Sequence, residues 1–261
     1  MFCLRGFGVF ISCVVLLIVH ATHGSEIIGG KEVQPHSLPF MALLNSDTHM
    51  CGGMLIDPKW VLTAAHCSDM KKVLLGVHSV KEKEEDSRQV RDVGRNVPHP
   101  SYNKKDKAND LRLLKLATPV TKTKTVKWLK LGKPIKEPAA GTRCLVAGWG
   151  LIKQKPEPQM SKVLMSVNVS VIDRVKCNSG KYYNHKPVIT SDMICAGSTN
   201  KEQAGTCKGD SGGPLLCNGA LVGVTSFGRQ ICGKIPGVFS FLSAKQLRWI
   251  KETMKSPKYN E

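Results

Sequence analysis

Cys207-Lys208-Gly209-Asp210-Ser211-Gly212-Gly213-Pro214-Leu215 surrounds one serine with three glycines. Glycine serves where the backbone must take a positive φ or approach another group closely, at an entropic cost. Three of them around one hydroxyl mark a serine whose backbone is as constrained as its side chain. A serine hydroxyl is a weak nucleophile until an adjacent base takes its proton. Histidine is the base whose pKa suits neutral pH, and a buried carboxylate fixes its tautomer and stabilises its cation. The chain offers both partners. Leu62-Thr63-Ala64-Ala65-His66-Cys67 sets His66 among small residues beside a cysteine. Asn109-Asp110-Leu111-Arg112-Leu113-Leu114-Lys115-Leu116 puts Asp110 at the mouth of an apolar strand. Taken alone, His66 reads as structural and Asp110 as a turn or cap residue. The serine loop gives them a joint use, with the N–H groups of Gly209 and Ser211 placed to hold an oxyanion. Losing one such donor typically costs about 100- to 1000-fold in rate.

Gly209-x-Ser211-x-Gly213 also fits the nucleophile elbow of α/β-hydrolases, and two observations reject that fold. Those enzymes order their triad serine, acid, histidine, whereas here His66, Asp110 and Ser211 follow in that sequence. A parallel sheet also requires interleaved helices, and the chain shows short β-like runs instead, at 54–56, 60–63, 73–75, 111–116, 144–147, 163–171 and 220–226. Val167-Asn168-Val169-Ser170-Val171 alternates apolar and polar residues, as a half-buried strand does. The pattern predicts an all-β barrel or sandwich, with the Lys- and Pro-rich stretch 121–141 connecting two halves. A single C-terminal helix is expected from about 243, where Ser243 can cap and Leu247, Ile250 and Met254 recur at helical spacing.

The bulk properties set the compartment and the partners. The chain has 261 residues, 41% of them hydrophobic, enough for one or two packed domains. Its net charge of +18, from 38 basic against 20 acidic residues, favours polyanions such as sulfated glycans, nucleic acid or anionic membranes. A short basic start at Met1 to Arg5, an apolar run from 7 to 19 and small residues at Thr22 and Gly24 read as a signal peptide cut after Gly24. No later run is long and apolar enough to span a bilayer, so no membrane insertion is expected. Ten cysteines are present, of which Cys3 and Cys13 lie in the signal segment. The remaining eight, Cys51, Cys67, Cys144, Cys177, Cys195, Cys207, Cys217 and Cys232, imply disulfides in a secreted chain. No Cys-x-x-Cys pair is present, which argues against a zinc site. Spacing alone leaves about 105 pairings open.

The span from Ile27 to about Met254 resembles the chymotrypsin-like serine proteases, whose triad is a standard template for nucleophilic catalysis. Ile27-Ile28-Gly29-Gly30, Thr63-Ala64-Ala65-His66-Cys67, Asp110-Leu111-Arg112-Leu113-Leu114 and Gly209-Asp210-Ser211-Gly212-Gly213-Pro214 occur in that family's order and spacing. The resemblance implies two six-stranded antiparallel β-barrels, roughly 27–125 and 140–240, with the active site in the crevice between them and a C-terminal helix at about 243–255. It implies disulfides Cys51–Cys67, Cys144–Cys217, Cys177–Cys195 and Cys207–Cys232, no cofactor and no metal. It also implies an activation switch, in which a freed Ile27 amine pairs with Asp210. Within the family the chain is similar to the granule proteases granzyme A and granzyme K, through Glu26-Ile27-Ile28-Gly29-Gly30-Lys31-Glu32-Val33, Pro35-His36-Ser37 and Thr225-Ser226-Phe227-Gly228. That likeness implies granule storage, removal of Ser25-Glu26 by a dipeptidyl peptidase, and protein inhibitors. Ser101 stands where a dimer-forming cysteine is expected and no mature cysteine is left over, which points to a monomer.

The expected substrate pocket is built from Gly205, Thr206, Lys208, Ser226, Phe227, Gly228 and Gly237. Trypsin-like members carry Asp two residues before the cysteine of the nucleophile loop, and this chain has Gly205 there. An uncharged pocket floored by Gly205 and opened by Gly228 and Gly237 predicts an apolar primary specificity. Glu202, on a loop one residue longer than in the look-alikes, is the acid that could restore a basic preference. Asn168-Val169-Ser170 is an N-glycosylation sequon. Glu82-Lys83-Glu84-Glu85-Asp86 reads as a solvated loop rather than a calcium site, because lysine interrupts it.

Overall fold

The computed structural model describes residues 27–134, 136–198 and 203–259, so the signal segment, Ser25-Glu26 and Glu202 lie outside the described residues. From Ile27 on, the chain first lays β1 (Lys31–Glu32) against what becomes the second barrel. It then forms β2 (Met41–Asn45), β3 (Met50–Asp57), β4 (Trp60–Thr63), β5 (Lys72–Leu75), β6 (Gln89–Pro98) and β7 (Arg112–Leu116). These six close into an antiparallel barrel in the order β2-β3-β4-β7-β6-β5. Leu44, Met54, Leu55, Leu62, Leu111, Leu113 and Leu114 fill it and are inaccessible to solvent. Burying each such side chain stabilises the fold by about 1.5–3 kcal/mol.

An irregular, lysine-rich segment crosses to the second half, where β8 (Arg143–Gly148), β9 (Leu151–Lys153), β10 (Gln159–Met160), β11 (Met165–Ile172), β12 (Met193–Gly197), β13 (Pro214–Cys217), β14 (Ala220–Phe227) and β15 (Gly237–Phe241) follow. Strands β11-β12-β15-β14-β13-β8 form one sheet, and pairing of β8 with β11 closes it into a second six-stranded barrel, while β9 and β10 form a separate hairpin. Alternation along β11 sets the register. Val167 lies opposite Val146 and Val169 opposite Cys144, both pointing into a core shared with Ile27, Leu215 and Phe239. Asn168 falls on the exposed face of the same strand. All eight cysteines among the described residues are paired, as Cys51–Cys67, Cys144–Cys217, Cys177–Cys195 and Cys207–Cys232.

Two details differ from the sequence expectation. The segment 27–32, grouped there with the first barrel, pairs through Lys31 and Glu32 with Ser166 and Met165 of β11, so it belongs structurally to the second barrel. A second helix, α1 (Arg174–Asn178), is also present, capped by Asp173 accepting from the Lys176 N–H. Five residues are too short to show a helical period. The C-terminal helix α2 (Ala244–Lys255) buries Leu247 and Ile250 against the core of the first barrel, although it follows the second. Ser243 occupies its N-cap position but makes no side-chain cap bond.

Candidate active site

Asp110 is fully buried where β7 begins, and three donors meet its carboxylate. The His66 backbone N–H donates to Oδ1 at 2.9 Å, His66 Nδ1 lies 2.7 Å from Oδ2, and the Ser226 hydroxyl donates to Oδ2 at 2.5 Å. Contact with Oδ2 places the proton of a neutral His66 on Nδ1, leaving Nε2 as the acceptor facing out. The imidazole itself is partly exposed, with 29% of its side chain accessible. Arg112 tethers the two segments, because its Nε and Nη2 donate to the Ala65 carbonyl at 3.0 and 2.6 Å, one residue before His66. The C-terminal helix holds Asp110 from the other side. Gln246 donates to the Asn109 side chain at 2.8 Å, and Trp249 packs at a tilt, 4.6 Å away, on His99, whose backbone N–H donates to the Leu111 carbonyl. Burial, followed by the Asp110 charge, pushes the nearby Tyr102 hydroxyl up to about 12.

Ser211 is carried by the second barrel and tied to the first. Its carbonyl accepts from the Gly52 N–H at 2.8 Å, beside the Cys51–Cys67 disulfide that adjoins His66. The Thr63 hydroxyl donates to the Gly52 carbonyl at 2.8 Å, locking that crossing point. Gly212 explains part of the glycine run. It has φ +80°, and a side chain there would meet Thr63 Oγ1 at 2.1 Å and the Gly52 carbonyl at 2.3 Å. Gly209 has φ +96° and lies close to Gly150. Among the described residues the N–H groups of Gly209 and Ser211 donate to no protein acceptor, whereas the Asp210 N–H between them bonds the Cys207 carbonyl. That leaves two adjacent free donors at the serine, the arrangement an oxyanion requires.

Asp210 is fully buried, with Oδ1 accepting from the Gly150 N–H at 2.8 Å and Oδ2 from the Cys207 N–H at 2.9 Å. Burial outweighs both bonds and pushes its carboxyl up to about 6. Ile27 is fully buried in the core of the same barrel, and the Ile28 carbonyl accepts from the Gly205 N–H at 3.0 Å.

Beside Ser211 lies a cavity of about 250 Å³ lined by Thr206, Lys208, Ser226, Phe227, Gly228 and Arg229, among others. Five of the expected pocket residues therefore line it, and Gly205 and Gly237 do not. Gly205 is buried with its N–H committed to Ile28, and Gly237 packs against Thr206, whose Oγ1 would lie 2.9 Å from a side chain there. No Asp or Glu lines the cavity among the described residues. Sequence reasoning missed Gly52, Thr63, Arg112 and Gln246 as supports. Arg112 alone carried a signal, as a cation inside an apolar strand.

The trypsin family model matches residues 27–250. Granzyme A of Bos taurus is 45% identical over 233 residues, covering 87% of this chain and 88% of the relative. The solved structure of GrC superposes with a TM-score of 0.79 at 37% identity, over 88% of this chain and all of that one. Human heparin binding protein gives 0.77 at 31% identity, over 88% of this chain and 98% of its own. With the double barrel and the buried Asp110–His66 contact described above, these matches establish that the chain belongs to the trypsin family of chymotrypsin-like serine proteases and is related to the granzymes.

Proposed function

We propose that the protein is a secreted, granule-stored endopeptidase that cleaves peptide bonds through an acyl-enzyme on Ser211. His66 Nε2 takes the Ser211 proton as the hydroxyl attacks the carbonyl carbon, and later gives it to the leaving amine. Asp110 holds the imidazole and stabilises its cation, while the N–H groups of Gly209 and Ser211 receive the negative oxygen. The observation that carries this reading is the fully buried Asp110 carboxylate at 2.7 Å from His66 Nδ1, with two further donors fixing it. Removing the nucleophile of a triad costs on the order of a million-fold in kcat, because its members act as a unit. Ser211→Ala should therefore abolish turnover and labelling by a fluorophosphonate while leaving the circular dichroism spectrum unchanged. Near-normal peptidase activity in that variant would sink the assignment.

The cavity supports a preference for Phe, Tyr, Met or Leu in the first pocket. A lysine or arginine entering it would lose its hydration and meet no carboxylate among the described lining residues, at a cost of several kcal/mol. An apolar side chain gains about 1.5–3 kcal/mol from the same burial. Matched peptides should show kcat/KM higher by about 100-fold or more for Phe than for Arg. A reversed order, lost in Glu202→Gln, would assign a basic preference to that residue instead.

Activation is assigned to removal of Ser25-Glu26 by a dipeptidyl peptidase, which frees the Ile27 amine to pair with Asp210. The supporting observation is a buried carboxylate in the same barrel that already buries Ile27. Polyanions such as sulfated proteoglycans are proposed as partners from the +18 charge and from the likeness to heparin binding protein.

A further inference from the structure

A second depression, of about 440 Å³, adjoins the cavity beside Ser211. The two share Gln154, Gln230 and Cys232. Gln154 makes their common wall rigid, since its Nε2 donates to the Gln230 carbonyl at 2.8 Å and its Oε1 accepts from the Cys232 N–H at 2.9 Å. The second depression has an apolar side, Ile28, Ile152 and the half-exposed Ile231, and a cationic side, Lys153 and Lys155. The first cavity contributes two more cations, Lys208 and Arg229. No carboxylate lines either space among the described residues, and none of the four cations is in an ion pair there. Glu157 is on the same hairpin but lines neither space.

Arg229 is the most organised of the four. Its Nη2 donates to the carbonyls of Tyr183 at 2.8 Å and Lys186 at 3.3 Å, and its guanidinium lies 5.2 Å over the Tyr183 ring. Nη1 and Nε make no hydrogen bond among the described residues, so a fixed guanidinium with donors to spare lines the first cavity. A guanidinium held this way loses little entropy on meeting a carboxylate.

We infer that these two joined spaces select polypeptide substrates carrying an acidic stretch with one apolar residue, close in sequence to the residue held in the first cavity. The carboxylates meet Arg229, Lys208, Lys153 and Lys155, and the apolar residue packs on Ile231 and Ile28. This rests on the protease reading above. The occupant follows from charge complementarity and from continuity of the second depression with the cleft. A four-cation strip with no carboxylate lining it among the described residues repels basic peptides and attracts acidic ones, over a range set by ionic strength.

The test uses the mature enzyme and peptides with a common Phe at the cleaved bond. An Asp-Asp pair is moved through the three positions on either side of the bond, and Asn-Asn and Lys-Lys replace it in controls. At low salt the best acidic peptide should exceed its Asn version about 10-fold in kcat/KM, the Lys version should fall below both, and the spread should shrink at 0.5 M salt. Arg229→Gln, and separately Lys153→Gln with Lys155→Gln, should bring the acidic-to-neutral ratio to within about 2-fold. Lys251→Gln with Lys255→Gln on the exposed side of α2 removes as much charge as the double lysine variant and more than Arg229→Gln, and should leave that ratio as it was. Equal cleavage of all peptides by an enzyme that a fluorophosphonate labels fully overturns the acidic-substrate inference and leaves the protease reading standing. So does an acidic preference that survives in both cleft variants or is lost in the α2 control. Absence of labelling overturns both.

Discussion

Asp110 and Asp210 are both fully buried carboxylates, and they differ in what compensates their charge. Asp110 has three donors including an imidazole, whereas Asp210 has two backbone N–H groups, and its carboxyl is pushed up to about 6 by burial. A carboxyl raised in the folded state favours its protonated form there, so the stability it contributes at low pH is lost as pH rises through the folded value. In the chain that still carries Ser25-Glu26, stability measured against Asp210→Asn should therefore fall between about pH 4 and pH 7. Once Ile27 is freed, pairing with the amine should lower the Asp210 pKa, so that the fall between about pH 4 and pH 7 disappears and wild type loses ground to Asp210→Asn only as pH drops below about 4. Urea midpoints at a series of pH values check both slopes. The same slope before and after removal of the dipeptide would argue against an Ile27–Asp210 pair.

At the scale of single elements, α2 does more than end the chain. Its apolar face was legible from the spacing of Leu247 and Ile250, but not the surface that receives it. That surface is the first barrel, and the helix also reaches Asn109 and His99 next to the Asp110 strand. Ile250 is fully buried in this contact. Ile250→Ala should cost about 2–5 kcal/mol of stability through lost burial and a residual cavity. Lys251→Ala, one residue on and exposed, should stay within about 0.5 kcal/mol. Denaturant unfolding of both variants measures this, and equal effects would mean that α2 is not a structural strap. Strand β6 shows the opposite case. Its sequence, Gln89 to Pro98, is mostly exposed, with Arg91, Asp92 and Arg95 charged, and gives no clear strand signal. Pairing with β5 on one side and β7 on the other makes it a strand. The acidic run 82–86 was legible only as a loop. The structure adds that Glu84 caps the N–H groups of His78 and Ser79 at 2.8 and 2.9 Å.

For the molecule as a whole, charge is the property most independent of the fold. Lys71, Lys72, Lys104, Lys105, Lys122, Lys124, Lys127 and Lys130 are exposed, and Lys107 is half-buried. Lys71 and Lys72 pair with Asp47 and Asp92, so the weight of any anion-binding surface falls on the other lysines. The protein should be retained on heparin resin well beyond a neutral control of equal size, with elution shifting to lower salt when Lys104, Lys105, Lys122 and Lys124 are changed to Gln. Elution with the control would mean a solvated basic surface without a dedicated partner. The Gly52–Ser211 bond, made beside the Cys51–Cys67 disulfide of the first barrel, ties the two barrels together at the cleft, so what is read at this scale acts on a fixed site.

By itself the sequence determined the fold class and the family, and it singled out His66, Asp110 and Ser211 as candidates, because those readings depend on residue type in fixed order. A glycine-flanked serine, a histidine beside a cysteine and an aspartate opening an apolar strand are local patterns that survive being read one at a time. The pairing of eight cysteines was open to spacing and closed only by resemblance. Tertiary structure decided what spacing cannot encode. It left Gly205 and Gly237 out of the cavity lining that the other expected pocket residues supply, seated β1 on the second barrel, and gave Ser226, Arg112 and Gln246 their roles around Asp110 and His66. The physical reason is distance along the chain. Ser226 meets Asp110 across 116 residues and Gln246 meets Asn109 across 137, and such contacts exist only after both barrels have closed.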